Sequence, residues 1–144
     1  MGIGRGPENS ALAKKLGAFA YVDSKATKVA DELKKLGGIK VLLATAPNAK
    51  AMAETIDGLA VGGKLLVVGA PFEPMEVSVL SLLLARRGIQ GWPSGTARDS
   101  QDTLEFSKFA GVRPMIEKFP LAKVNDGYER MLSGKAEFRV VLTM

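Results

Sequence analysis

Two apolar runs, Lys40 to Thr45 and Lys64 to Gly69, are short and nearly continuous, the pattern of strands buried on both faces of a parallel sheet. Between them Ala49, Met52, Ala53, Ile56 and Leu59 recur at helical spacing from Pro47 or Asn48, and Gly62-Gly63 turns the chain into the second run. Upstream, Pro7 opens a helix over residues 7 to 16 with Leu12 and Leu16 on one face, stopped by Gly17, and Phe19 to Val22 reads as a short strand. Thr27 is placed to cap a helix that turns Val29, Leu33 and Leu36 inward and ends at Gly37-Gly38. Downstream, residues 76 to 84 run from an extended stretch into a short helix, Gly88 to Trp92 is a strand, and a helix begins near Asp99 or Ser100. Pro114 to Leu121 is extended, Lys123 to Ser133 carries Val124, Tyr128, Met131 and Leu132 on one helical face, and Gly134 stops it before a last strand, Arg139 to Thr143.

Repeated strand-helix units of this kind demand a parallel sheet with helices on its faces, since right-handed crossovers lay each helix over the strands it joins. Both central runs end in small residues, Thr45-Ala46-Pro47 and Val68-Gly69-Ala70-Pro71, which let a ligand approach the backbone at the carboxyl edge of the sheet. That edge is where a nucleotide is expected.

Those two endings, with Gly91-Trp92-Pro93-Ser94-Gly95-Thr96 and the closing Phe138-Arg139-Val140-Val141-Leu142-Thr143, resemble the second half of zinc-dependent alcohol dehydrogenases of the medium-chain dehydrogenase/reductase family. The resemblance covers essentially the whole chain. It implies an α/β fold, a truncated Rossmann-like doubly wound parallel sheet with helices on both faces, followed by a strand-helix-strand appendage. Residues 1–112 would be a partial dinucleotide-binding domain, and residues 113–144 the segment that returns to the catalytic domain. Members of the family are commonly more than twice this length and begin with a zinc-bearing domain and a first strand closed by a glycine-rich loop; this chain shows neither.

The resemblance also implies site residues. Gly4 and Arg5 match the end of the family's second strand, where a small residue followed by Arg favours the 2′-phosphate of NADP over the bare ribose of NAD. Thr45 and Ala46, and Val68, Gly69 and Ala70, match positions that contact the adenosine side and the nicotinamide carboxamide. Trp92, Pro93 and Ser94 match the next strand end, beside the nicotinamide and the subunit contact; Trp92 serves equally as a core or interface anchor. Arg139 matches an arginine that pairs with the pyrophosphate, a role suited to the guanidinium fork; an edge charge in water is the alternative. Gly2-Ile3-Gly4-Arg5-Gly6 is not a phosphate loop, because no complete strand precedes it and Pro7 stands where the third glycine belongs.

Composition narrows the chemistry. The 144 residues include no cysteine and no histidine, which removes disulfides, thiolate nucleophiles, imidazole bases and the usual ligands of zinc. Ser94 therefore has no base to activate it, and its neighbours do not form G-x-S-x-G. Glu73 and Glu76 read as solvated loop charges. A net charge of +5 comes from scattered pairs such as Lys14-Lys15, Lys34-Lys35 and Arg86-Arg87, with no basic stripe and few aromatics, so nucleic acid is not the expected partner. No apolar run approaches the roughly 20 residues of a membrane span, and no secretion signal opens the chain, so a cytoplasmic protein is expected.

The reading is thus the cofactor-binding portion of an NAD(P)-dependent alcohol dehydrogenase, binding NADP or NAD weakly, holding no zinc and inactive alone. A non-catalytic nucleotide-binding or dimerising module is the alternative. In the strand order 3-2-1-4-5-6 the first strand is central. Its absence would leave two buried edges, a second strand reduced to Gly2-Ile3-Gly4, and a Phe19 to Val22 strand with little to pair against. A homo-oligomer is the expected remedy, through the Gly88 to Trp92 edge and the terminal strand.

Overall fold

Leu33, Ile56, Leu59 and Leu65 are withdrawn from water almost completely, and the layers of residues 1–94 are built around them. The computed structural model describes all 144 residues, which form two compact units, Met1–Ser94 and Gly95–Met144. The first unit runs β1 (Gly2–Gly4), a 3-10 turn at Pro7–Asn9, α1 (Ser10–Lys15), β2 (Tyr21–Asp23), α2 (Val29–Lys35), β3 (Ile39–Ala44), α3 (Ala49–Thr55), a 3-10 turn at Ile56–Gly58, β4 (Leu59–Val67), α4 (Val79–Leu84) and β5 (Gly88–Gly91). Every strand pair is parallel, as the alternation of strands and helices requires.

The strands of this unit form two sheets, β1-β2 and β3-β4-β5. The strand expected at Phe19 to Val22, with only the reduced Gly2-Ile3-Gly4 strand to pair against, lies slightly later. The strand is Tyr21–Asp23 and pairs with β1 residue for residue, Gly2 with Tyr21 through Gly4 with Asp23. The break in the sheet falls between β1 and β3, the place expected of the central strand. α1 covers one face of the pair, where a Cβ on Gly2 would meet Ala13; Val22, pointing the other way, packs with Val29 and Leu33 of α2. Ala44, Met52, Ile56, Leu59 and Leu65 form a second cluster on β3-β4-β5, joined by Leu82 of α4.

Local signals account for most helix boundaries. Asn48 caps α3 by accepting from Ala51 N–H at 2.8 Å, and Gly37 and Gly38 leave α2 with φ of 83° and 82°. Thr27 does not cap α2. That place falls to Lys28, while the Thr27 hydroxyl donates to the Asp23 carbonyl. Leu36, expected inward, is exposed just beyond the helix end, and Leu59 belongs to β4 rather than to α3.

Arg87 likewise departs from the surface charge expected of it. Its guanidinium donates to the carbonyls of Leu59 at 2.9 Å, Asp57 at 3.1 Å and Ser81 at 3.2 Å, and pairs with the Asp57 carboxylate at 3.2 Å. One planar fork thereby ties the start of β4, the turn before it and α4 together. Arg86 precedes it at φ 50°, the left-handed residue that ends α4 while Arg86 and Arg87 N–H donate back to Leu83 and Leu82.

The second unit holds α5 (Ala97–Phe109), β6 (Ile116–Pro120), a 3-10 turn at Leu121–Lys123, α6 (Val124–Leu132) and β7 (Arg139–Thr143). α5 starts at Ala97, ahead of the expected Asp99 or Ser100, because Thr96 and Asp99 form a reciprocal capping box. β6 and β7 pair in parallel with α6 across them. The face of α6 that meets the strands is not the apolar one. Val124, Tyr128, Met131 and Leu132 are all exposed, whereas Gly127 is buried and a Cβ there would lie 3.3 to 3.4 Å from Val140, Leu142 and Phe119. The missing side chain lets the helix backbone settle on the sheet, and Arg130 beside it grips Glu117 of β6 through two bonds of 2.7 and 2.9 Å.

Two outcomes follow from these contacts. Arg87→Ala leaves three carbonyls without their donor and should lower the stability of the first unit by about 2 kcal/mol, read from urea unfolding followed by Trp92 fluorescence; Arg87→Lys should recover only part of it. Glu117 is held from its ordinary 4.5 down to about 2 by the Arg130 guanidinium and then by the Glu137 N–H. A carboxylate with a depressed folded pKa stabilises fully above its unfolded value, so this contribution should fade as pH falls from about 4.5 to about 2. Circular dichroism in acid should show that step in the native chain and a weakened one in Glu117→Gln.

Candidate functional site

The carboxyl end of β1 is a turn fixed from β2. Gly6 has φ 88°, its N–H donates to Asp23 Oδ1 at 2.7 Å, and its carbonyl accepts from the Tyr21 hydroxyl at 2.8 Å. Lys25 N–H donates to the same Asp23 oxygen at 2.9 Å. These two amides, Lys25 first and Gly6 second, push the Asp23 carboxyl below its usual range. Arg5 is thereby carried, exposed, on a constrained turn. Gly4 is needed for a reason internal to the fold: a Cβ there would lie 2.5 Å from the Tyr21 hydroxyl. Sequence reasoning missed Tyr21 and Asp23. The signal available was the placement of an aromatic and a carboxylate at the two ends of a three-residue strand.

The ends of β3 and β4 close on one another. Val68 and Gly69 N–H both donate to the Ala44 carbonyl, at 3.1 and 3.0 Å. A Cβ on Gly69 would stand 2.7 Å from the Thr45 carbonyl oxygen and 2.9 Å from that of Ala46, so only glycine permits this approach. Val68 and Ala70 flank it, both exposed. Trp92 continues the line of β5 by donating its N–H to the Val67 carbonyl at 2.9 Å; its side chain is 55% exposed, and Pro93 and Ser94 follow it, exposed.

Gly4, Arg5, Thr45 and Ala46 line a single cleft of about 830 Å³, shared with apolar residues of β1, β3, α2 and α3. Its size suits a ligand site. Gly69 adjoins it through Thr45 and Ala46, and Trp92 reaches that edge through Val67. Arg139 opens β7 in the second unit, exposed and opposite Ile116.

The donor set suits a dinucleotide and not zinc. Close backbone approach at Gly69 and an exposed guanidinium on a tied turn are features that receive phosphate and ribose. The chain has no histidine or cysteine, and no three acidic residues gather as a metal would require. No helix is long and apolar enough to cross a membrane.

The family model described as zinc-binding dehydrogenase matches residues 1–109. The chain belongs to that family. It is 37% identical over 142 residues to alcohol dehydrogenase notN of an Aspergillus species, covering 99% of this chain and 42% of that protein. With an alcohol dehydrogenase of Geobacillus stearothermophilus it shares 33% identity over 138 residues, 95% of this chain and 41% of that one. The crystal structure of an alcohol dehydrogenase zinc-binding domain protein from Burkholderia ambifaria superposes with a TM-score of 0.84 at 27% identity, over 99% of this chain and 41% of that one. Benzyl alcohol dehydrogenase from Acinetobacter calcoaceticus shares the fold at 22% identity, with a TM-score of 0.82 over 98% and 42% of the two chains. The chain thus spans about two fifths of the length of the relatives it matches, and the expected Rossmann-like architecture is borne out.

If Asp23 holds the Arg5 turn, Asp23→Ala should speed amide exchange at Gly6 and Lys25 by about tenfold or more while leaving the amides of α3 unchanged. Exchange measured residue by residue by NMR checks this, and equal loss of protection throughout the unit would mean that Asp23 serves the whole fold instead.

Proposed function

We propose that this chain is the nicotinamide-cofactor-binding portion of an alcohol dehydrogenase, with the dinucleotide lying across the carboxyl ends of β1, β3 and β4. One observation carries the reading: Gly4, Arg5, Thr45 and Ala46, from strands far apart in sequence, line one cleft at the edge where a doubly wound sheet takes its nucleotide. When bound, the nicotinamide accepts or returns a hydride. The chain's own part is to hold and orient it.

Arg5 pairs with a ribose phosphate, favouring NADP, and the tie from Asp23 to Gly6 keeps that guanidinium on its turn. Thr45, Ala46, Val68, Gly69 and Ala70 offer backbone groups to the adenosine and the carboxamide, with Trp92, Pro93 and Ser94 beside the nicotinamide. Residues 1–144 contribute no metal ligand and no imidazole to relay a proton, so the proposal for this chain is confined to cofactor binding.

Calorimetric titration should find NADPH preferred to NADH, with affinity weaker than about 100 μM, or roughly −5.5 kcal/mol, because no helix amino terminus cradles the pyrophosphate. Arg5→Asp should reverse the preference, and an unchanged ratio would remove Arg5 from the site. Alcohol oxidation by the chain with added zinc is expected to be absent.

A further inference from the structure

The Tyr21 ring lies over β1. Gly2 stands opposite Tyr21 and Gly4 opposite Asp23, so these four positions share one face of the pair, and β1 carries no side chain at either of its two. A Cβ on Gly2 would be 3.5 Å from Tyr21 Cδ2, an ordinary contact. One on Gly4 would be 2.5 Å from the hydroxyl oxygen, 3.2 Å from Cζ and 3.3 Å from Cε2. The ring therefore fills the space over the carboxyl end of β1, and the approach tightens toward Gly4.

Two features keep the phenol from yielding that space. Its hydroxyl donates to the Gly6 carbonyl at 2.8 Å, and Gly6 is itself buried and held through its N–H by Asp23 Oδ1 at 2.7 Å. A tyrosine ring is a rigid plate turning about two bonds, so its tip does not fold aside as the end of a lysine or methionine would. Arg5, by contrast, already carries a side chain, and that side chain is exposed.

An acidic side chain at the end of such a strand bonds the ribose hydroxyls of a dinucleotide, and Gly4 holds that place here. We propose that Tyr21 is a specificity-determining residue of this site. Its hydroxyl bars a side chain at position 4, which closes recognition of the bare ribose by a carboxylate on β1 and leaves the 2′-phosphate as the group that Arg5 selects. The inference rests on the cofactor reading above, but it assigns the choice to a residue of β2 that does not line the cleft. The two neighbouring positions then differ. Position 5 can exchange its guanidinium for a carboxylate directly, whereas position 4 gains one only after residue 21 gives way. Asp23 adds a second obstacle of another kind, since a carboxylate at position 4 would stand opposite its charge.

The test has one arm without ligand and one with it. Without ligand, Gly4→Ala, which adds bulk and no charge, should lower the melting temperature by about 3 °C or more. Adding Tyr21→Phe should recover most of that loss, because with the hydroxyl gone the ring carbons need give by only a few tenths of an ångström. With ligand, NADPH and NADH are titrated calorimetrically to millimolar concentration. Gly4→Asp alone should gain no preference for NADH. Gly4→Asp together with Tyr21→Phe should move the affinity ratio toward NADH by about tenfold or more, the worth of one hydrogen bond to a charged group. Arg5→Asp is the reference for a working site. Full stability in Gly4→Ala, no recovery on adding Tyr21→Phe, or a Gly4→Asp variant that takes NADH with Tyr21 in place would overturn the proposal. So would a Gly4→Asp, Tyr21→Phe double variant that does not fold, or that keeps the native ratio while Arg5→Asp reverses it; the latter result leaves the cofactor reading standing. If neither the native chain nor Arg5→Asp binds either dinucleotide, the cofactor reading falls, and the assignment of specificity falls with it even where the melting loss is recovered.

Discussion

The packing of α2 against two sheets at once is the contact on which residues 1–94 depend. Leu33, without measurable exposure, joins Val22 of β2 to Val29, and Ile39 and Leu42 of β3 pack on the same cluster. Leu42 also packs on the second cluster, around Met52, Ile56 and Leu65. This one residue therefore belongs to both cores. Burying a leucine fully is worth about 1.5–3 kcal/mol, and here that gain is made between sheets that share no backbone ladder. Side-chain packing does what hydrogen bonding does elsewhere in a parallel sheet, and the interval between β1 and β3 is left lined with apolar groups.

The candidate site is a consequence of that arrangement. Strands whose amino ends converge on α2 deliver their carboxyl ends to one edge, so Gly4, Arg5, Thr45 and Ala46 meet although some forty residues separate the two pairs. Each end is then fixed by a local device. At β1 it is the pair of bonds from Asp23 and Tyr21 to Gly6; at β4 it is the absence of a side chain on Gly69, which brings the backbone against Thr45 and Ala46. Both leave backbone groups and one guanidinium facing outward, with little side-chain bulk over them. That is a surface suited to binding a polar, extended ligand.

The second unit follows a different logic. Its helix docks through a glycine and an ion pair while its apolar stripe faces outward. Close backbone approach at Gly127 and the bidentate Arg130–Glu117 contact outweigh hydrophobic patterning in choosing which face of α6 meets β6 and β7. Glu117 also accepts the Glu137 N–H at 2.9 Å, so one carboxylate sets the helix and the approach to β7 together.

By itself the sequence determined the elements and their kind. Continuous apolar runs marked the parallel strands, although Val41 and Leu43 of β3 are exposed rather than buried; helical spacing named α2 and α3, and glycines marked the stops at 37, 38 and 134, because each of these signals depends on residues within a few positions of one another. The small residues at the strand ends, and hence the edge where a ligand would sit, were legible for the same reason. Which partners those elements chose was not. The register of Gly2–Gly4 on Tyr21–Asp23, the capture of Arg87 by carbonyls up to 30 residues away and the inward turn of Gly127 are decided by contacts across the fold. A short strand such as Tyr21–Asp23 carries no record of its neighbour, and an arginine in a basic pair looks the same whether it meets water or three carbonyl oxygens. Only the tertiary structure could separate those cases, because the free energy that distinguishes them arises from groups that approach each other only when the chain is folded.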